Sequence, residues 1–150
     1  MVARNFDLKK LSVSFTGIFG TFTVLNYGDG AASIKLTTPQ KEANTVEVGA
    51  AGDTLTKKRY DVTTHVLSVS VLKDAADDFR FKNIVALVKA GNDVIMTISY
   101  NDENIGERYI TLNGTLKEVP DFERGTEMTK NQEYVFNMPE ALYTPPSLSV

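Results

Sequence analysis

The chain has 150 residues, 42% of them apolar, and no cysteine. That is enough for one domain with a continuous core, and it excludes a disulfide scaffold, a thiolate metal site and a cysteine nucleophile. The net charge of −3 is mild and comes without a dense Lys/Arg run for holding nucleic acid, and no apolar stretch approaches the ~18 residues of a membrane-spanning helix.

Met1 to Lys10 is polar and mixed in charge, lacks the apolar centre of a secretion signal, and reads as an extended N-terminal arm. From there, alternation of apolar and polar residues dominates. Leu11, Val13 and Phe15 share one face of a first strand; Phe22 and Val24 fit a second; Ala32, Ile34 and Leu36 mark a third. Val46 and Val48 follow, before the turn-like run Gly49-Ala50-Ala51-Gly52-Asp53. Thr64 to Leu72 is the clearest strand, with Leu67, Val69 and Val71 against Ser68 and Ser70. Later come Val94, Met96 and Ile98 with Thr97 and Ser99 opposite, then Ile110, Leu112 and Leu116, then Tyr134, Phe136 and Met138. A period of two places one face in a core and leaves the other wet or in contact with a neighbour.

One segment, about 74–90, has the period of a helix. Asp74 is the predicted N-cap, Asp77 and Asp78 suit the positive end of the dipole, and Phe81, Ile84, Val85 and Val88 form one face. Lys89 suits the other end and Gly91 is a natural stop. Gly28-Asp29-Gly30, Thr37 to Asn44, and Asn101 to Gly106 read as connections, with Gly106 suited to positive φ. Thr144-Pro145-Pro146-Ser147 cannot continue a strand and reads as an extended tail. The expectation is a single mainly β domain over 1–150: a sandwich or barrel of about eight strands with one flanking helix.

The residues offer little chemistry. His65 is the one histidine, and it shares a strand face with Leu67, Val69 and Val71, so it reads as structural. No Gly-x-Ser-x-Gly elbow accompanies it. Asp74, Asp77 and Asp78 are explained by the helix start, Asp102 and Glu103 by a turn, and Glu118, Asp121 and Glu123 by a loop. Gly28-Asp29-Gly30 and Gly49 to Gly52 lack the Gly-Lys-Ser/Thr ending and the following helix of a phosphate loop. Lys57-Lys58-Arg59 is a small basic cluster, better suited to a surface strand or salt bridges than to a phosphate track. No catalytic residue, metal ligand or cofactor site is expected. Tyr100, Tyr109 and Tyr134 keep a small-ligand or carbohydrate-binding sandwich open as an alternative.

Leu25-Asn26-Tyr27-Gly28-Asp29-Gly30-Ala31-Ala32, then Ile34-Lys35-Leu36, then Asn44-Thr45-Val46-Glu47-Val48-Gly49-Ala50-Ala51-Gly52, and then Val66 to Lys73 before the helix, form a pattern. It resembles a family of small phage structural proteins that form the tail tube of contractile-tailed phages. The likeness is detailed through the helix and in outline beyond it; Ala51 and the Lys57-Lys58-Arg59 run are not matched.

The resemblance implies a fold like that of tail tube and type VI secretion tube proteins, with hexameric rings stacked into a tube. It implies a virion protein assembled in the host cytoplasm, with itself, the tail sheath, a baseplate or initiator and a tail terminator as partners, and DNA passing through. A terminator, an initiator or a baseplate piece on the same fold is the alternative. In that setting Thr37, Thr38, Pro39, Gln40, Lys41, Glu42, Val46, Val48, Gly49, Gly52, Asp53, Pro145 and Pro146 are candidate inter-subunit contacts, and Ser68, Ser70, Thr97 and Ser99 candidate lumen-facing residues.

Overall fold

The computed structural model describes residues 11–25, 31–39, 43–49, 51–52, 54–58, 63–121 and 131–146. The alternating segments become strands β1 (Leu11–Gly17), β2 (Gly20–Leu25), β3 (Ala31–Thr37), β4 (Asn44–Val48), β5 (Thr54–Lys58) and β6 (His65–Leu72). After helix α1 (Ala76–Lys89) come β7 (Met96–Asp102), β8 (Glu107–Glu118), β9 (Asn131–Met138) and β10 (Leu142–Thr144). Eight strands form one antiparallel sheet in the order β2-β1-β7-β8-β9-β6-β3, with β10 also on β8. β4 and β5 form a separate two-stranded ribbon. The sheet does not close into a barrel: among the described residues β2 and β3 each have one partner and end it as edges.

The sheet is bent along β8, its longest strand. The first part of β8 pairs with β7 and β10, and the part from Thr115 pairs with β9. At the bend Met96 faces Gly114, whereas Ile98 faces Thr111, so β8 carries one residue more than β7 there. That is a β-bulge, which bends the strand it sits in. Gly114 is required at this point. A Cβ on it would stand 2.5 Å from Ile98 Cδ1 and 3.0 Å from the Met96 carbonyl oxygen.

The bend creates two half-sheets, β2-β1-β7-β8-β10 and β8-β9-β6-β3, which face each other across an aromatic core. Phe15 of β1 meets Phe136 of β9 at 4.8 Å between ring centroids. Phe81 of α1 touches Phe15, Phe22, Tyr134 and Phe136, so the helix joins the two halves. Each such fully buried side chain contributes about 1.5–3 kcal/mol over its exposed state. Leu67, Val69 and Val71 complete the wall from β6, fully buried as their alternation predicts.

The helix start differs from expectation. The N-cap is Ala75, with no side-chain cap, and Asp74 lies outside the helix at φ +63°. Asp78 does the work from inside the first turn. Its fully buried carboxylate accepts from the Asp74 N–H at 3.0 Å and from the Tyr134 hydroxyl at 2.7 Å, and pairs with Lys82 at 3.1 Å. A buried charge is tolerable only when so partnered. Gly91 ends the helix at φ +89°, its N–H reaching the Val88 carbonyl at 3.1 Å. Val88, placed on the buried face by spacing, is 40% exposed, and in the last turn Leu87 packs against the core instead.

Candidate functional site

The features that call for a partner are the ribbon, the sheet edges and the two outer sheet faces. The ribbon is built from the β4–β5 ladder, Asn44 opposite Lys58 through Val48 opposite Thr54. Its turn carries an N–H···O bond from Gly52 to Gly49 of 3.0 Å, and Gly52 takes φ +85°, a conformation that favours glycine. Val46 and Val48 lie on one face with Thr56 and Thr54, and they are 60% and 70% exposed. Leu55, on the other face, is 56% exposed. The alternation at Val46 and Val48 therefore marks a strand as expected, but the core formed by the described residues does not cover it.

The root of the ribbon is fastened to the body. Thr37 donates its hydroxyl to the Val66 carbonyl at 3.2 Å, and Thr38 shares a 3.0 Å hydrogen bond with His65 Nδ1. His65 is buried, edge-on to Tyr109 at 4.9 Å, and burial lowers its pKa below the usual 6.5. That is the structural role its sequence position suggests. On the other side of the root, Ala141 donates its N–H to the Thr63 carbonyl at 3.0 Å.

The outer face of the first half-sheet is an array of hydroxyls. The register aligns Thr23, Ser14 and Ser99 in one row and Thr21, Thr16 and Thr97 in the next, with Ser12 beside Asn101. Neighbours satisfy each other: Ser14 and Thr23 share a bond of 3.1 Å, and Thr21 donates to Thr16 at 3.3 Å. Arg108, at the end of the array, donates from Nε to Ser99 Oγ at 3.3 Å. The second half-sheet presents a different outer face. Lys35 aligns with Ser68, Val135 and Glu118, and Ser33 aligns with Ser70 and Glu133. The two hydroxyl pairs singled out in the sequence thus sit on outer faces of opposite half-sheets, and one is uncharged where the other carries both signs.

At the rim of the first half-sheet the outer face turns aliphatic. Leu142 of β10 pairs with Ile110 of β8. Leu112 follows two residues later, and the bulge leaves both it and Asn113 exposed. Leu142 is 66% and Leu112 64% exposed. The spacing of Ile110, Leu112 and Leu116 suggests one buried face, and the extra residue in β8 breaks that parity. Nothing in the sequence marks the bulge, since Gly114 is legible as a glycine but not as a close contact.

The three tyrosines of the ligand-binding alternative are divided between the core and its end. Tyr134 is fully buried with its hydroxyl committed to Asp78, and burial, reinforced by that bond, pushes its pKa well above the usual range. Tyr100 and Tyr109 are half-buried at the end of the core, their rings 6.1 Å apart. Tyr143 caps them, its hydroxyl donating to Glu107 at 2.7 Å, and that bond pushes its pKa up to about 12. Among the described residues no group of three or more His, Asp or Glu is placed to hold a metal ion.

Of the other expected contact residues, Pro39, Gly49, Pro145 and Pro146 are exposed. Gln40, Lys41, Glu42 and Asp53 lie outside the described residues, as do the N-terminal arm, Gly28-Asp29-Gly30 and Arg59. Lys57 and Lys58 stand on β5.

No family model matches the chain, and no curated protein matches it in sequence. A solved structure does share the fold: a chain of the cap that terminates the tube of the anti-feeding prophage, at a TM-score of 0.50 and 10% identity. The match covers 96% of this chain and 93% of that one.

Proposed function

We propose that this protein is a non-enzymatic structural subunit of a phage-tail-type tube, which joins copies of itself into a ring and stacks rings around a channel for DNA. The observation that carries this reading is the detached ribbon. A two-stranded hairpin alone is marginal in water, and this one holds Val46, Val48 and Leu55 exposed. Such a ribbon gains its stability from a surface outside its own chain. The open edges β2 and β3 point the same way, because unpaired N–H and C=O rows invite pairing with another chain. A ring closes both edges by repeating one contact, and stacking repeats a second.

Within this reading Thr37, Thr38, Pro39, Val46, Val48, Gly49, Gly52, Pro145 and Pro146 belong to inter-subunit contacts. The lumen is lined by the hydroxyl array that includes Thr97 and Ser99, rather than by the charged face of Ser68 and Ser70. The array is uncharged apart from Arg108 and its hydroxyls are paired laterally, so it offers phosphates little to hold. Sheath, baseplate or initiator, and terminator proteins are the further partners, in a virion tail assembled in the host cytoplasm.

The fold shared with a tube-terminating cap favours a second reading, a single ring that ends a tube rather than building it. Negative-stain microscopy and light scattering across a concentration series, with and without a tube initiator, separate the two. Tubes of uniform diameter that lengthen with concentration support the tube subunit. Rings that never stack support the terminator. A monomer under every condition overturns both.

A further inference from the structure

The ribbon needs a receiving surface, and the same chain displays one. Most exposed aliphatic side chains of the described residues are scattered: Ile18 in a turn, Leu25 and Leu72 on different half-sheets, Val88 on the helix. Scattered singles are normal on a protein surface. Leu112 and Leu142, exposed on either side of the half-buried Ile110, are different. Leu142 is directly paired with Ile110, and Leu112 lies diagonally about 7–8 Å away, within side-chain reach. Together they form one uncharged patch at the rim of the hydroxyl array.

The ribbon matches this patch in kind. Its Val46–Val48 face, with Thr54 and Thr56, is a β-branched and uncharged surface. Val46, Val48, Leu112 and Leu142 all remain largely exposed in the single chain. The patch lies beside the point where the ribbon segment rejoins the body, since Ala141, next to Leu142, bonds to Thr63. Strands of five residues carry the tip about 17 Å beyond Asn44 and Lys58. A neighbour related by rotation in a ring holds its patch at the same height as the root, where a ribbon laid sideways can cover it.

We infer that the ribbon of one copy docks its Val46–Val48 face on the Ile110–Leu112–Leu142 patch of a second copy, a contact that rests on the assembly reading above. The two surfaces differ, so the contact is head-to-tail and repeats until a ring closes. It also covers the aliphatic rim that otherwise interrupts the hydroxyl array.

The absence of native cysteine makes the test clean. A disulfide forms only between Cα atoms within about 7 Å. The double variants Val48→Cys/Leu142→Cys and Val46→Cys/Leu112→Cys are oxidised mildly under conditions where microscopy shows assembly, and run on a non-reducing gel. Val48→Cys, Leu142→Cys and the pair Val48→Cys/Ser70→Cys serve as controls. The expected result is a covalent ladder ending at the ring size for at least one patch pair, about tenfold above every control. Intact rings without a patch-pair ladder overturn this contact and leave the assembly reading standing; so do rings in which Val48→Cys alone, or its pair with Ser70→Cys, links as well. Failure of the unmodified protein to assemble at any concentration, with an initiator present, overturns both.

Discussion

Strands β4 and β6 carry the same alternation and opposite fates. In β6, Leu67, Val69 and Val71 are fully buried against the aromatic core; in β4, Val46 and Val48 are 60% and 70% exposed. Period-two patterning fixes which residues share a face, and it is silent about what covers that face. The apolar face of β6 packs into the core shared with Phe15, Phe81 and Phe136, whereas among the described residues β4 has β5 as its one strand partner. A strand with an apolar face and no inner cover is where a partner is to be sought.

The difference can be broken from the body side. Phe81→Ala removes the ring that touches both half-sheets and is expected to cost about 3–5 kcal/mol, read by urea unfolding of the monomer. Gly114→Ala forces a Cβ against Ile98 and the Met96 carbonyl at the bend, at the upper end of overpacking penalties, about 3 kcal/mol. Tyr134→Phe leaves the buried Asp78 carboxylate one donor short and should cost about 2 kcal/mol, with a matching loss of helix-start protection in hydrogen exchange.

Much of this body is legible in the sequence. The core residues of β1, β6, β7 and β9 follow from alternation, and the helix from its apolar spacing. The bend is not legible, because a bulge is one residue of mismatch between strands far apart in the chain, and so Leu112 reads as core. The helix cap misleads for a related reason: Asp74 has the right chemistry, but Asp78 reaches Tyr134, fifty-six positions away, and organises the turn from there. β10 escapes notice, being three residues long and stabilised by a tyrosine contact across β8. As for the candidate site, its ribbon residues Val46 and Val48 are found by pattern, whereas the patch that faces them in our proposal depends on the bulge.

The join between the two regions can be probed by pH. His65 holds Thr38 at the ribbon root, and its pKa is lowered by burial. The unfolded chain takes up the proton near pH 6.5, the folded chain only at lower pH. The unfolded state therefore binds more protons in that window, and stability falls as the pH drops from 6.5 toward the folded pKa. His65→Gln should flatten this part of the stability–pH curve, a smaller change than the core variants produce. The smallest effect is expected in the ribbon itself. Val48→Thr should leave monomer stability within about 0.5 kcal/mol in urea unfolding while lowering assembly in sedimentation velocity, the reverse of what Phe81→Ala does.

The strand order also sets a timetable for synthesis. Leu11 of β1 finds its partner in Asp102 of β7, and the apolar face of β6 is framed by β9, whose last residue is Met138. A chain emerging at about 5–20 residues per second keeps its first strand waiting for seconds, with apolar surface exposed. Such long-range pairing makes folding slow. The ribbon, by contrast, joins residues close in sequence, so both its strands leave the ribosome together and lack only a surface to hold them. The element most suited to grasp another copy is then exposed before the domain that must carry it, so the order of events on the ribosome bears on whether neighbouring nascent chains meet as subunits or as aggregates.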